Sequence, residues 1–391
     1  MATASTTEAN ILTESSTEIF SSRHLDYVHH VAFDSYGRRM ATCSGDRFVR
    51  IWDYVLVKDN NKMRSNDGRD EQPSSGATPQ NGLSWQLSTE FQAHRGSVTK
   101  VTWCHSEFGT LVATCSNSDV KIWEEQTPTH SHQYPSKKAT WVVKAHLTEA
   151  RRHVTALEFC PRTFGLQLAT GSADGVCRMY EAVDLMNLSQ WPLQASWTAV
   201  STEGGGITCL SWCPSRFEPP TLALGSNTHV SLWRYHSALR QYVSLLQFPK
   251  HPGSVLDVSW APNVGRRFHW IASCENGGAL RVYQLSRGSF SSSDINDTAN
   301  GGGAGDDANA GDTTLELKST HVLPCREGST WKCEWNVTGT VLATSGDGGV
   351  VQLWKCDTAS GGWKCVSQIH GDCMEGGNAS KMDDTNNIQM V

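Results

Sequence analysis

Residues 28–53 read VHHVAFDSYGRRMATCSGDRFVRIWD, and the fold is decided by how this stretch returns. It joins an apolar alternating segment, a polar turn, a segment of the form "LATxS", a second tight turn, and a segment ending in an aromatic residue. β-branched and aromatic residues in short alternating runs, punctuated by Gly, Asn and Asp, are the signature of strands and turns. The same plan recurs over residues 98–125, 154–182, 207–235, 255–284 and 330–357. The closing aromatics are Trp52, Trp123, Tyr180, Trp233, Tyr283 and Trp354. Phe33, Trp103, Phe159, Trp212, Trp260 and Trp335 fill one equivalent position and place a core between neighbouring units.

Between copies stands one more strand each: WQLSTEFQAH, TWVVKAHLT, WPLQASWTAV, YVSLLQFPKH, TLELKSTHVL and, after the last copy, WKCVSQIHG. Four strands per unit, repeated, make an all-β propeller of the WD-repeat kind, although Trp52-Asp53 is the one literal Trp-Asp pair. A blade needs about 40–45 residues. The longest intervals therefore hold insertions, at residues 58–82 and 287–313. Both are rich in Gly, Ser, Asp and Asn and too poor in apolar residues to order themselves. Residues 1–15 and 372–391 read as disordered ends flanking a propeller over residues 16–371.

Blades of this kind bury a His–Ser/Thr–Asp–Trp chain of hydrogen bonds. His24, Ser44, Asp46 and Trp52 supply it in the first blade. His94 and His251 repeat the His position, and Asp174 stands before Tyr180 as Asp46 stands before Trp52. Asn117 and Asn227 take the Asp place elsewhere, and Asp347 is one residue out of register. These His and Asp residues are structural, not catalytic.

Composition removes several function classes. Thirty-three basic against 39 acidic residues give a net charge of −6 without a basic block, which argues against nucleic acid as the main partner. No apolar run approaches the length of a membrane-spanning helix, and the first residues lack the features of a secretory signal. The 13 cysteines read as buried thiols of a reducing compartment. The phosphate-loop, nucleophile-elbow and HExxH patterns are missing, so catalytic, cofactor-binding and metal-binding residues are each assigned as none. Cys104, His105 and Cys115 read as packing residues, not zinc ligands.

A strand count bears on the ring itself. Twenty-four strands complete six blades without the N-terminus, yet EIFSSR at residues 18–23 reads as a further, lone strand. The last blade already owns its fourth strand. The expectation is an open ring, with the vacancy between blades six and one filled by strands of a partner, because an uncovered edge and face invite association.

Several stretches resemble SEH-type nucleoporins: MNLSQWPLQ (residues 186–194), HSEFGTLVATCS (105–116), YGRRMATCSGD (36–46), SWAPNVGRRFH (259–269) and WNVTGTVLATSGDGG (335–349). MNLSQWPLQ is the most specific, since it lies outside the WD pattern. The resemblance implies a non-enzymatic scaffold of the nuclear pore Y complex, with the nucleus as its location. It also implies an open ring into which an α-solenoid nucleoporin inserts a blade, contacts with other Y-complex subunits, and membership of the GATOR-type amino-acid signalling complex at the lysosomal surface. Ile19 and Phe20 of the lone strand, and Trp363 near the other edge, are the expected partner-facing residues. The alternatives are a COPII-coat-like propeller, against which MNLSQWPLQ argues, and a peptide-reading WD adaptor, which needs convergent Arg or aromatic side chains on one face of the ring.

Overall fold

The computed structural model describes residues 18–56, 83–126, 139–201, 205–288, 314–323, 328–357, 361–370 and 387–390. The expected insertions and disordered ends lie for the most part outside these residues. Twenty-four strands form six four-stranded antiparallel sheets, each built from consecutive strands. Blade one holds β2 (Val28–Phe33), β3 (Arg39–Ser44), β4 (Phe48–Leu56) and β5 (Leu83–Gln92). Blade two holds β6 (Lys100–Trp103), β7 (Leu111–Ser116), β8 (Asp119–Gln126) and β9 (Thr140–Leu147). Blade three holds β10 (Val154–Phe159), β11 (Gln167–Ser172), β12 (Val176–Glu181) and β13 (Leu193–Thr198). Blade four holds β14 (Ile207–Trp212), β15 (Thr221–Ser226), β16 (Val230–His236) and β17 (Gln241–Gln247). Blade five holds β18 (Val255–Trp260), β19 (Phe268–Glu275), β20 (Leu280–Arg287) and β21 (Leu315–Leu323). Blade six holds β22 (Thr330–Trp335), β23 (Val341–Gly346), β24 (Val350–Cys356) and β25 (Trp363–His370). The first strands of all six blades line one central channel.

Two expectations need correction. The strand β1 (Glu18–Ser21) forms and stays outside every blade, but it does not stand alone. It pairs antiparallel with β26 (Asn387–Met390), a segment expected to be disordered, with Glu18 opposite Met390 and Ser21 opposite Asn387. The four residues of β26 pair with one edge of β1, which a count of blade strands could not anticipate. The second insertion also begins later than expected. Arg287 ends β20, held by its guanidinium, which donates to Glu218 at 2.8 Å.

Local chemistry sets the shape of each blade. Bulges interrupt the pairing of third and fourth strands between Ile51 and Trp52, Ile122 and Trp123, and Leu353 and Trp354. An extra residue there sharpens the twist that a blade needs. The turn between β11 and β12 requires Gly175. Its φ is 80°, and a Cβ would sit 2.0 Å from the carbonyl oxygen of Val200.

The hydrogen-bond chain of blade one forms around a different hydroxyl from the one expected. Trp52 Nε1 donates to Thr42 Oγ1 at 3.1 Å, and Thr42 Oγ1 lies 2.9 Å from His24 Nε2. His24 Nδ1 is 2.9 Å from Asp46 Oδ2. Ser44 serves the adjoining turn instead, donating to the Asp26 carbonyl. Thr42 pairs with Arg50, two residues from Trp52, and so lies within reach of the indole; Ser44 lies beyond β4's paired residues. Burial lowers the pKa of His24 and keeps the ring neutral. Burial also raises that of Asp46. Its hydrogen bonds from the Phe48 and Leu25 amides, Arg50 and His24 outweigh this and bring the carboxyl down to about 2. Blade two repeats the motif with His94, Thr114 and Trp123. Blade five rebuilds it from His251, Ser273, Glu275 and Tyr283.

Candidate partner interface at the open sector

The repeat places four positions of each second and third strand on the face that looks towards the following blade, one of them a glycine (Gly171, Gly225) in blades three and four. In blade one these are Ala41, Cys43, Val49 and Ile51, with Ala41 opposite Ile51 and Cys43 opposite Val49. All four are fully buried and pack against Val101, Val112, Trp123 and Trp141 of blade two. Blades two to five present Ala113, Ala169, Ala223 and Ala272 at the Ala41 position, with the same outcome. The result is five apolar clusters, each joining one blade to the next.

Six blades closed into a ring would bury six such clusters. Among the described residues no cluster joins blade six to blade one. Register places Ala343 opposite Leu353 and Ser345 opposite Val351, the counterparts of the blade-one four. Each of these four remains partly exposed. The contact between a blade's second strand and the next blade's first strand recurs from β3–β6 to β19–β22, and nothing comparable links β23 to β2.

The facing side of blade one is open in the same way. Phe33 is 46% exposed, whereas Phe159, Trp212, Trp260 and Trp335 at the same position are 7% or less. Those residues lie against the preceding blade; Trp335 Nε1, for instance, donates to the Ser259 carbonyl at 3.1 Å. Phe33 instead meets Trp85, whose ring also meets Tyr54 at 5.0 Å. Leu56 and Leu83 are about half exposed beside them. One part of this side is covered from within, because Phe20 of β1 lies 5.0 Å from the Trp52 ring.

The expected interface residues therefore separate. Ile19 sits in β1, opposite Gln389. Phe20 sits at the open sector, against Trp52. Trp363 does not; it packs between Trp335 and Trp270 and looks towards blade five. Its counterpart on blade one is Trp85. Tyr54 pairs with Trp85 as Glu125 pairs with Trp141, Tyr235 with Tyr242 and Cys356 with Trp363. This was visible in the sequence, because the inter-copy strands containing these aromatics begin alike. Each such aromatic faces the preceding blade, so the one whose preceding blade is missing is Trp85.

MNLSQWPLQ links β12 to β13. Leu188 and Trp191 are buried between blades two and three, with Trp191 Nε1 donating to the Leu188 carbonyl, while Met186 is exposed.

The architecture and the uncovered flank define the class, an open six-bladed WD-repeat β-propeller. The chain matches the WD domain, G-beta repeat family over residues 16–53 and 85–124. It is 34% identical to nucleoporin SEH1-A of Xenopus laevis over 366 residues, covering 91% of this chain and 89% of that protein. It is 34% identical to nucleoporin SEH1 of Homo sapiens, covering 89% and 87% respectively, and 33% identical to nucleoporin SEH1 of Danio rerio, covering 89% and 86%. The chain belongs to the SEH1 family of nucleoporins, and it is a WD-repeat scaffold protein and not an enzyme.

Proposed function

We propose that this protein is a structural subunit of the nuclear pore complex, and that its open sector receives a β-blade from an α-solenoid nucleoporin of the Y complex. The observation that carries this reading is the partly exposed set Ala343, Ser345, Val351 and Leu353, whose counterparts in every other blade are buried by a neighbour. An incoming blade would bury these side chains, and the facing Phe33 and Trp85, as blade two buries those of blade one. The proposal also takes Ile19 and Phe20 as flanking contacts. The same sector would serve a second assembly, the GATOR-type complex at the lysosomal surface, because one vacant site suits either blade donor in turn.

The test is thiol protection in the full chain. Ser345→Cys should label readily in the isolated protein, unlike the buried Cys43, and should become protected on co-expression with the solenoid partner. Leu353→Asp should abolish that complex and, in affinity purification, remove pore and GATOR-type subunits together. A complex that leaves the thiol at position 345 equally reactive would sink the reading.

A further inference from the structure

One end of the ring is built from the turns that enter each first strand and the turns between second and third strands. The channel opens there into a mouth of about 820 Å³. Its wall is apolar at Val28, Val154 and Leu256; Lys100, Glu334 and Lys332, the last paired with Asp257 at 3.1 Å, contribute to the lining, and Trp331 stands at the rim, 56% exposed. The carboxylates of the surrounding turns are engaged by their own blades. His24 and Arg50 hold Asp46, and Arg178 and Ser172 hold Asp174. Asp347 accepts from the Ser329 amide and the Trp331 indole.

The arginines of these turns are not engaged in this way. Arg47, Arg95, Arg151 and Arg152 are exposed, and among the described residues none has a carboxylate within ion-pairing distance. They come from the turns of three consecutive blades at this end of the ring, and neighbours of two of these turns reach the mouth. Arg95 precedes Ser97, whose hydroxyl meets His29 at 2.9 Å. Arg151 and Arg152 lead into His153, and both His29 and His153 line the mouth.

We propose that this end of the ring docks an extended acidic peptide of a partner protein. Its carboxylates lie on Arg47, Arg95, Arg151 and Arg152, and one apolar side chain enters the mouth beside Trp331. A deep, apolar-walled mouth suits a side chain better than a phosphate backbone. The overall charge of −6 repels a long polyanion, while a short acidic segment feels the local cations. The surface needs no occupant in the open sector, so it stands or falls apart from the blade-donation reading.

Fluorescence anisotropy on the full chain tests it, with a short labelled peptide of Glu and Asp carrying one central Leu. Saturable one-to-one binding that weakens with salt is expected. Arg95→Glu/Arg151→Glu/Arg152→Glu should weaken it about tenfold or more. Trp331→Ala should reduce it for the Leu peptide and not for the same peptide with Gly at that place. Arg216→Glu/Arg267→Glu, at the opposite end of the ring, should leave it unchanged. Equal binding by the triple variant, an equal loss in the opposite-end variant, or tighter binding of an RNA oligonucleotide to the same arginines would overturn the proposal.

Discussion

The face of blade one formed by Ala41, Cys43, Val49 and Ile51 and the face of blade six formed by Ala343, Ser345, Val351 and Leu353 share one register, yet the first is sealed and the second is not. The sequence pattern makes a blade face apolar; only a neighbouring blade makes it buried. The hydrophobic contribution of such a face depends on the area removed from water, so the two sets contribute unequally until a partner arrives.

Alanine replacement should display the largest difference. Ile51→Ala removes fully buried methyl groups and should cost about 2–5 kcal/mol in chemical denaturation. Leu353→Ala should cost under about 2 kcal/mol in the isolated chain. Equal losses would break the comparison. A larger loss for Leu353→Ala in the presence of a bound blade would sharpen it.

The polar interiors of the two blades differ next. Thr42→Val strips the hydroxyl that His24 and Trp52 share and should cost about 1–3 kcal/mol. Among the described residues Thr344 accepts from the Trp354 indole alone, with no histidine joined to it. Thr344→Val should therefore cost about 1 kcal/mol, at the low end of the same range. Denaturation midpoints of the two variants decide the order.

The smallest effect is acid sensitivity. Asp46 is held at about 2, below the usual carboxylate range. Its contribution is complete above the unfolded pKa and is lost as pH falls towards the folded one. Wild type should lose stability over that window, and Asp46→Asn, already lacking the contribution, should show a flatter profile. A parallel pair of pH profiles would remove Asp46 from the account.

Much of the fold was legible in the sequence because each blade is contiguous and its strands alternate in the ordinary way. Six copies and six connecting strands located all the blade strands. The open sector was legible as a count, since blade six already owned β25. Less was legible at the level of side chains. Ser44 and Thr42 lie on the same strand two residues apart, and only the cross-strand register tells which hydroxyl reaches Trp52. The recurring Thr of the "LAT" segments, at Thr42, Thr114, Thr170 and Thr344, was the missed signal. Trp363 lies late in the chain, yet that position does not make it an edge residue. Its direction follows from propeller order, in which a fourth-strand aromatic leans on the preceding blade. The pairing of β1 with β26 joins residues at opposite ends of the sequence, and no local pattern encodes it.

That pairing has a mechanical consequence. Glu18 and Met390, the first and last of the described residues, pair across the ribbon. A force drawing the termini apart would load its hydrogen bonds one after another, like a zip opened from the pull. Behind it, among the described residues, no blade is stitched from both ends of the chain and no strand pairing latches the first blade to the last, so stretching would peel off whole blades in succession.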